Sequence, residues 1–189
     1  MTVRSFLALA VLLLLTGTGC EMHESGVSVQ TLRDDEAPVS ESWSSDIVIS
    51  EDGLRRLVMQ ADYMARYETP DSTYMVLTGV DEEADRVRVV IFNPEGDTSA
   101  VVTSLRILYH EVARRFVARG DVDVKAGSDR WLESEHLAWS EITSRVTTPG
   151  FATIRTPTET LSGYGLDADE NLTEFTLTRV TGTVLIEDE

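Results

Sequence analysis

The stretch Trp131 to Trp139, WLESEHLAW, alternates apolar and polar residues as far as Ser134. It then takes two polar residues, Glu135 and His136, before Leu137 restarts the pattern. Side chains of a strand alternate faces, so an extra residue turns the following apolar set to the wrong side unless the backbone bulges or bends. The stretch therefore reads as a strand that turns a corner, and the skipped beat recurs. MQADYM (59–64), VTSLRI (102–107), LESEHL (132–137) and LSGYGL (161–166) share one frame: an apolar residue, any residue, a small residue, two more, then an apolar residue. The small positions are Ala61, Ser104, Ser134 and Gly163. A small residue beside a bend lets the chain turn inward without meeting a facing wall.

The last two copies start 30 and 29 residues after the copies before them, and the first interval, 43, leaves room for an extended loop. Gly79, Gly120, Gly150 and Gly182 each stand before a new alternating run. In TSLRILYHEVARRFVARG, Leu105, Leu108, Tyr109, Val112 and Phe116 also fall at helical spacing. The third copy, with its threonine-rich EITSRVTT, and the fourth, with Gly163 and Gly165, are poor helices, and copies of one unit should share one structure. The expectation is four or five stacked units of about thirty residues, each a pair of strands with a corner, in an all-β antiparallel architecture. Turns are expected at Thr69–Ser72, Asn93–Gly96 and Ala126–Ser128.

The 189 residues carry 33 acidic against 16 basic side chains, a formal charge of −17, and Lys125 is the only lysine. Phosphate-backbone binding needs a basic face, so nucleic acid is not expected as a partner. Such acidity fits a high-salt habitat or an ordinary acidic secreted protein. Residues 1–19 read as a signal peptide: Arg4, an apolar run from Phe6 to Leu15 too short to span a bilayer, then small residues. Cys20, the sole cysteine, follows Gly17-Thr18-Gly19 and resembles the lipidation site of bacterial lipoproteins, with Gly17 where that motif usually has leucine. The reading is a lipid anchor on Cys20, the alternative a plain secreted protein with a free thiol. Residues 20–43 are polar and acidic and read as a flexible tether, followed by a folded domain over 44–187.

No catalytic residues, metal site or cofactor are expected. HEVAR (110–114) opens like a zinc-protease helix but has Arg114 where the second histidine is required. Glu82-Glu83 and Asp167/Asp169 read as solvated turns rather than cation sites. His110 and His136, each beside a glutamate, are the only candidates for a lipid-acting hydrolase. The apolar rows have two readings, a dry core or the lining of a groove left open along one side. Met59, Met64 and Met75 suit a lining that adapts to flexible contents. Burying an acyl chain of about a dozen carbons would contribute up to roughly 10 kcal/mol before ordering costs.

The segments LSGYGLDADENLTEFTLTRVTGTV, WLESEHLAWSEITSRVTTPG and LVMQADYMARYETPDSTYMVLTGV resemble LptC, the periplasmic component of the bacterial lipopolysaccharide exporter, over about Ser44 to Glu187. The resemblance implies an open, V-shaped antiparallel β-jellyroll that shields lipid A acyl chains and performs no chemistry. It implies a periplasmic carrier that takes lipopolysaccharide from an inner-membrane ATP-driven transporter and passes it to an LptA-like bridge protein. Carried onto this chain, the groove residues are Met59, Met64, Val102, Ile107, Leu132, Leu137, Leu161 and Leu166. Val89, Ile91, Val124, Ile154 and Leu177 are strand additions, and Tyr109 and Trp139 stand just past the corner. The upstream contact is expected at the edge near Ile47–Ser50 and the downstream contact near Thr183–Ile186. The family is usually held by an N-terminal transmembrane helix, whereas this chain would use a lipid on Cys20, placing it in the periplasm at the inner membrane. The alternative is a structural envelope lipoprotein with a dry core that binds only proteins.

Overall fold

The computed structural model describes residues 37–81 and 85–184, and every regular element among them is a β-strand. The signal peptide, Cys20, most of the tether and Glu82-Glu83 lie outside the described residues. The strands are β1 (Ser40–Glu51), β2 (Leu54–Glu68), β3 (Thr73–Thr78), β4 (Val87–Phe92), β5 (Thr98–Ser104), β6 (Arg106–His110), β7 (Arg115–Ala126), β8 (Arg130–Ser140), β9 (Arg145–Arg155), β10 (Glu159–Asp169) and β11 (Phe175–Val184). All pair antiparallel in one sheet. Strand β1 begins at Ser40, four residues before the expected domain start, and Val39 N–H already bonds to the Arg66 carbonyl.

The long strands are bent, and the pairing shows where. The first half of β2, Leu57–Gln60, pairs with β4, and its second half, Tyr63–Glu68, pairs with β3. Strand β7 likewise pairs with β6 through residues 115–119 and with β5 through 123–126. Thus β3 and β4 are two halves of one bent strand, as are β5 and β6, and the sheet is a meander of bent strands folded into a V. One wall holds the first half of β2 with β4, β5 and the second half of β7. The other holds the second half of β2 with β3, β6 and the first half of β7. The sheet is not a closed barrel, because β1 pairs only with β2 and β11 only with β10. This is the all-β antiparallel architecture expected from the repeat, and its open sheet is consistent with the jellyroll that the resemblance implied.

Every recurring skipped beat falls on a corner. Pairing of β2 changes partner at Ala61–Asp62, and β5 gives way to β6 at Leu105. Register breaks between Ser134 and Ala138 in β8, and between Ser162 and Leu166 in β10. Three of the four glycines that precede alternating runs lie at corners of the intervening strands. Gly79 directly follows β3, Gly120 adopts φ +76° where β7 breaks register, and Gly150 stands at the bend of β9. At Gly163 the approach is close, since a Cβ there would lie 2.7 Å from the Thr178 carbonyl oxygen of β11.

The helical spacing around 103–118 has no helix beneath it. Strands β6 and β7 occupy the region, and Val112 is 82% exposed in the turn between them. The expected turns form at Thr69–Ser72, where Thr69 N–H reaches the Ser72 carbonyl at 2.8 Å, and after Asn93, whose side chain accepts from Asp97 N–H at 2.8 Å. Asp169 organises the β10–β11 turn by accepting from the backbone N–H of Asn171, Thr173 and Glu174. Burial pushes its carboxyl up, but those hydrogen bonds outweigh it and hold the group below its ordinary value.

Candidate functional site

The two walls face each other across apolar rows that run from strand to strand. On the first wall, the paired residues are Ile47, Met59, Val89, Val102, Val124, Leu132, Ile154 and Leu161 in unbroken succession from β1 to β10. A second row on this wall passes through Ile49, Leu57, Ile91, Ala100 and Ala126. On the opposite wall, Met64, Leu77, Ile107, Ala118 and Leu137 follow one another near the bend. Nearer the free ends of that wall run Met75, Tyr109, Phe116, Trp139, Val146 and Ala168. The alternation of each strand and the corner in its middle together keep these side chains on the inner face.

The residues expected in a groove are therefore placed on one continuous inner surface. Met59, Val89, Ile91, Val102, Ile107, Tyr109, Val124, Leu132, Leu137, Trp139, Ile154 and Leu166 all belong to the buried cluster. Met64 and Leu177 pack against it half-buried, and Leu161 is half-buried. Sequence reasoning missed Leu57, Leu77, Phe116, Val146 and Leu172, which fill the same surface. The alternation of FVARG and RVTT held the signal for Phe116 and Val146. Leu172 had none, because it enters from a turn at φ +53°.

The rows do not line an open channel. Trp139, Phe116, Leu137 and Ile107 are 0% exposed, so the walls lie against each other in this structure. A dry core was the alternative reading of the same rows, and the difference lies at the mouth of the V, where polar residues from both walls meet. Glu141, between β8 and β9, accepts from Arg114 through Nε at 3.1 Å and Nη2 at 2.8 Å. Arg114 Nη2 also reaches Glu51 across the mouth at 2.7 Å, and Arg56 Nε lies 3.8 Å from Glu141. Farther along, Ser99 bonds to Glu170 at 3.1 Å and Asn171 at 2.9 Å. Burial pushes the Tyr109 hydroxyl up to about 12, and the Glu141 carboxylate adds to the rise, so the phenol beneath the mouth is neutral. Its carboxylate partners raise the Arg114 guanidinium above its ordinary value.

His110 and His136 stand apart from this inner surface. His110 is on the outer face of β6 beside Tyr74, at 6.1 Å between ring centres. His136 lies at the β8 corner, lining an outer cleft of about 490 Å³ with Asp121, Asp123, Glu133 and Glu135. Both imidazoles are held below the ordinary value, chiefly by burial and then by nearby arginines. Among the described residues no cluster of histidine, cysteine, aspartate and glutamate could hold a metal ion. Among the described residues both outer edges of the sheet are unpaired: β1 carries Ile47–Ser50, and β11 carries Thr183, while Leu185 and Ile186 lie outside the described residues.

Residues 6–185 match the model of a family described as lipopolysaccharide-assembly, LptC-related. Comparison with curated proteins gives no match.

Proposed function

The chain belongs to the LptC-related family of lipopolysaccharide assembly, and from that premise we propose that it is a periplasmic carrier whose inner surface takes lipopolysaccharide acyl chains. The observation that carries this reading is the unbroken apolar succession from Ile47 to Leu161, which crosses the sheet with no polar side chain on its path. A monomer needs a core, but it does not need a row that runs level from one free edge towards the other. Such a row offers an acyl chain the same environment at each strand, which suits a cargo that slides. Met59 on this row, and Met64 and Met75 on the facing wall, repack at low cost around flexible contents.

The cargo would come from the inner-membrane ATP-driven transporter at the β1 edge near Ile47–Ser50. It would leave to an LptA-like bridge protein at the β11 edge near Thr183–Ile186. At each edge, unpaired backbone N–H and C=O groups can extend the sheet into a partner. A lipid on Cys20 would hold the chain at the membrane. The phosphorylated head group would stay outside the apolar surface, screened by salt or bridged by divalent cations, since the chain carries a charge of −17. No step of this cycle makes or breaks a bond, so the protein acts as a carrier and not an enzyme.

A structural lipoprotein with a dry core is the second reading, favoured by the complete burial of Trp139 and Phe116. Native mass spectrometry of the purified chain after incubation with lipopolysaccharide separates the two. The carrier retains the glycolipid at defined stoichiometry, and a scaffold emerges at the bare protein mass.

A further inference from the structure

The polar seam at the mouth of the V is built so that the walls can part along it. On the second wall, Arg114 grips Glu141 with two parallel hydrogen bonds, and both residues sit on neighbouring hairpin tips. The contacts that cross the mouth are single. They are Arg114 to Glu51, Arg56 to Glu141, and Ser99 to Glu170 and Asn171. On the first wall Arg56 also donates to the Phe92 carbonyl, a bond that stays when the walls separate. Opening therefore strips each group of its cross-wall partner while leaving Glu141 and Arg56 paired within their own walls. That matters for Glu141, whose side chain is 2% exposed, because a buried carboxylate without a partner is strongly unfavourable. One oxygen of Glu170 at the seam is buried without a hydrogen-bond partner among the described residues.

We infer that this seam is a latch through which acyl chains enter sideways: lipid loading proceeds by breaking Arg114–Glu51, Arg56–Glu141 and Ser99–Glu170/Asn171 while Arg114–Glu141 stays intact. An apolar seam would resist opening in proportion to the area exposed to water. Ion pairs and hydroxyls at the seam regain hydration when they part, which offsets part of the lost contact energy. The inference rests on the carrier reading for its cargo, but the opening itself can be measured without lipid.

Trp139 supplies the reporter, since it is fully buried two residues from Glu141 while Trp43 and Trp131 are exposed. In a Trp43→Phe, Trp131→Phe background, acrylamide quenching of the remaining indole reads the mouth. Glu51→Gln with Ser99→Ala removes cross-wall contacts and leaves Arg114–Glu141 in place. The expected result is a quenching constant at least twofold above the parent and a comparably faster uptake of lipopolysaccharide. Glu133→Gln, which weakens a pair with Arg155 on the outer face, should leave both unchanged. Unaltered quenching and uptake in the double variant would overturn the latch even if the parent binds lipid. Raised quenching with no lipid bound by any variant would leave the latch standing and remove the carrier reading. Ser99→Ala alone, with its thermal unfolding followed in parallel, supplies the comparison if the double variant does not fold.

Discussion

Ser134 shows how much one side chain does at a corner. Sequence reasoning valued it for size, and the structure adds a hydrogen-bonding role. Its hydroxyl lies 2.9 Å from the His136 carbonyl and 2.8 Å from the Phe151 carbonyl of the neighbouring strand, stitching the bulge to β9. Ser104 has the local bond alone, 3.2 Å from the Arg106 carbonyl. Ser134→Ala should therefore cost about 1 kcal/mol of stability despite preserving size, read from the urea midpoint. Gly163→Ala should cost more, about 1–3 kcal/mol, because the Thr178 carbonyl that it meets is backbone and cannot swing away. The two histidines add a pH dependence. Their native values are lowered, so the unfolded chain binds more protons than the folded one once pH falls below about 6.5. Stability conferred by the neutral imidazoles is complete above that pH and is lost as pH drops through the lowered native values. His110→Gln with His136→Gln should flatten the thermal midpoint between pH 7 and 5, whereas an equally steep fall would assign the effect to other groups.

For a single strand, the corner is what holds the fold together. In β8 the register shift between Ser134 and Ala138 returns Leu137 and Trp139 to the inner face after Leu132. Deleting Glu135 would leave Leu137 and Trp139 in strict alternation with Leu132, on one face, but would remove the extra residue with which the strand turns its corner. The deletion variant should lose the cooperative thermal transition, and a native-like transition would show that the corner is dispensable. This part of the fold was legible because a bend leaves a trace in the alternation and needs a small residue beside it. Other features left no trace. The division of β3 from β4 by the segment after Gly79 looks like a loop insertion, since nothing in the sequence says that the two flanks belong to one bent strand. The helical spacing from Leu105 to Phe116 misleads because hairpin turns interrupt alternation at intervals that imitate a helix, and Val112 at the turn betrays it only by its exposure.

Across the molecule, charge and the inner surface govern behaviour together. With a formal charge of −17 over the whole chain the acidic groups repel one another, and at about 1 M salt, where the Debye length is roughly 3 Å, that repulsion is screened. The thermal midpoint should therefore rise between 0.05 and 1 M sodium chloride, and a flat profile would show that the acidic groups are spaced widely enough not to matter. The apolar half of the candidate site could be read from sequence, since strand alternation and corners fix which residues face inward. The seam of Glu51, Arg56, Ser99, Arg114, Glu141 and Glu170 could not, because its members come from hairpin tips far apart in the chain and meet only when the sheet folds over. The most direct test of the account places a photo-reactive amino acid at Ile107 and Leu137 on the inner surface, and at Phe151 on the outer face, in cells making lipopolysaccharide. The account predicts glycolipid adducts at Ile107 and Leu137 and none at Phe151. Adducts at Phe151 alone, or protein adducts without lipid at all three, would contradict it.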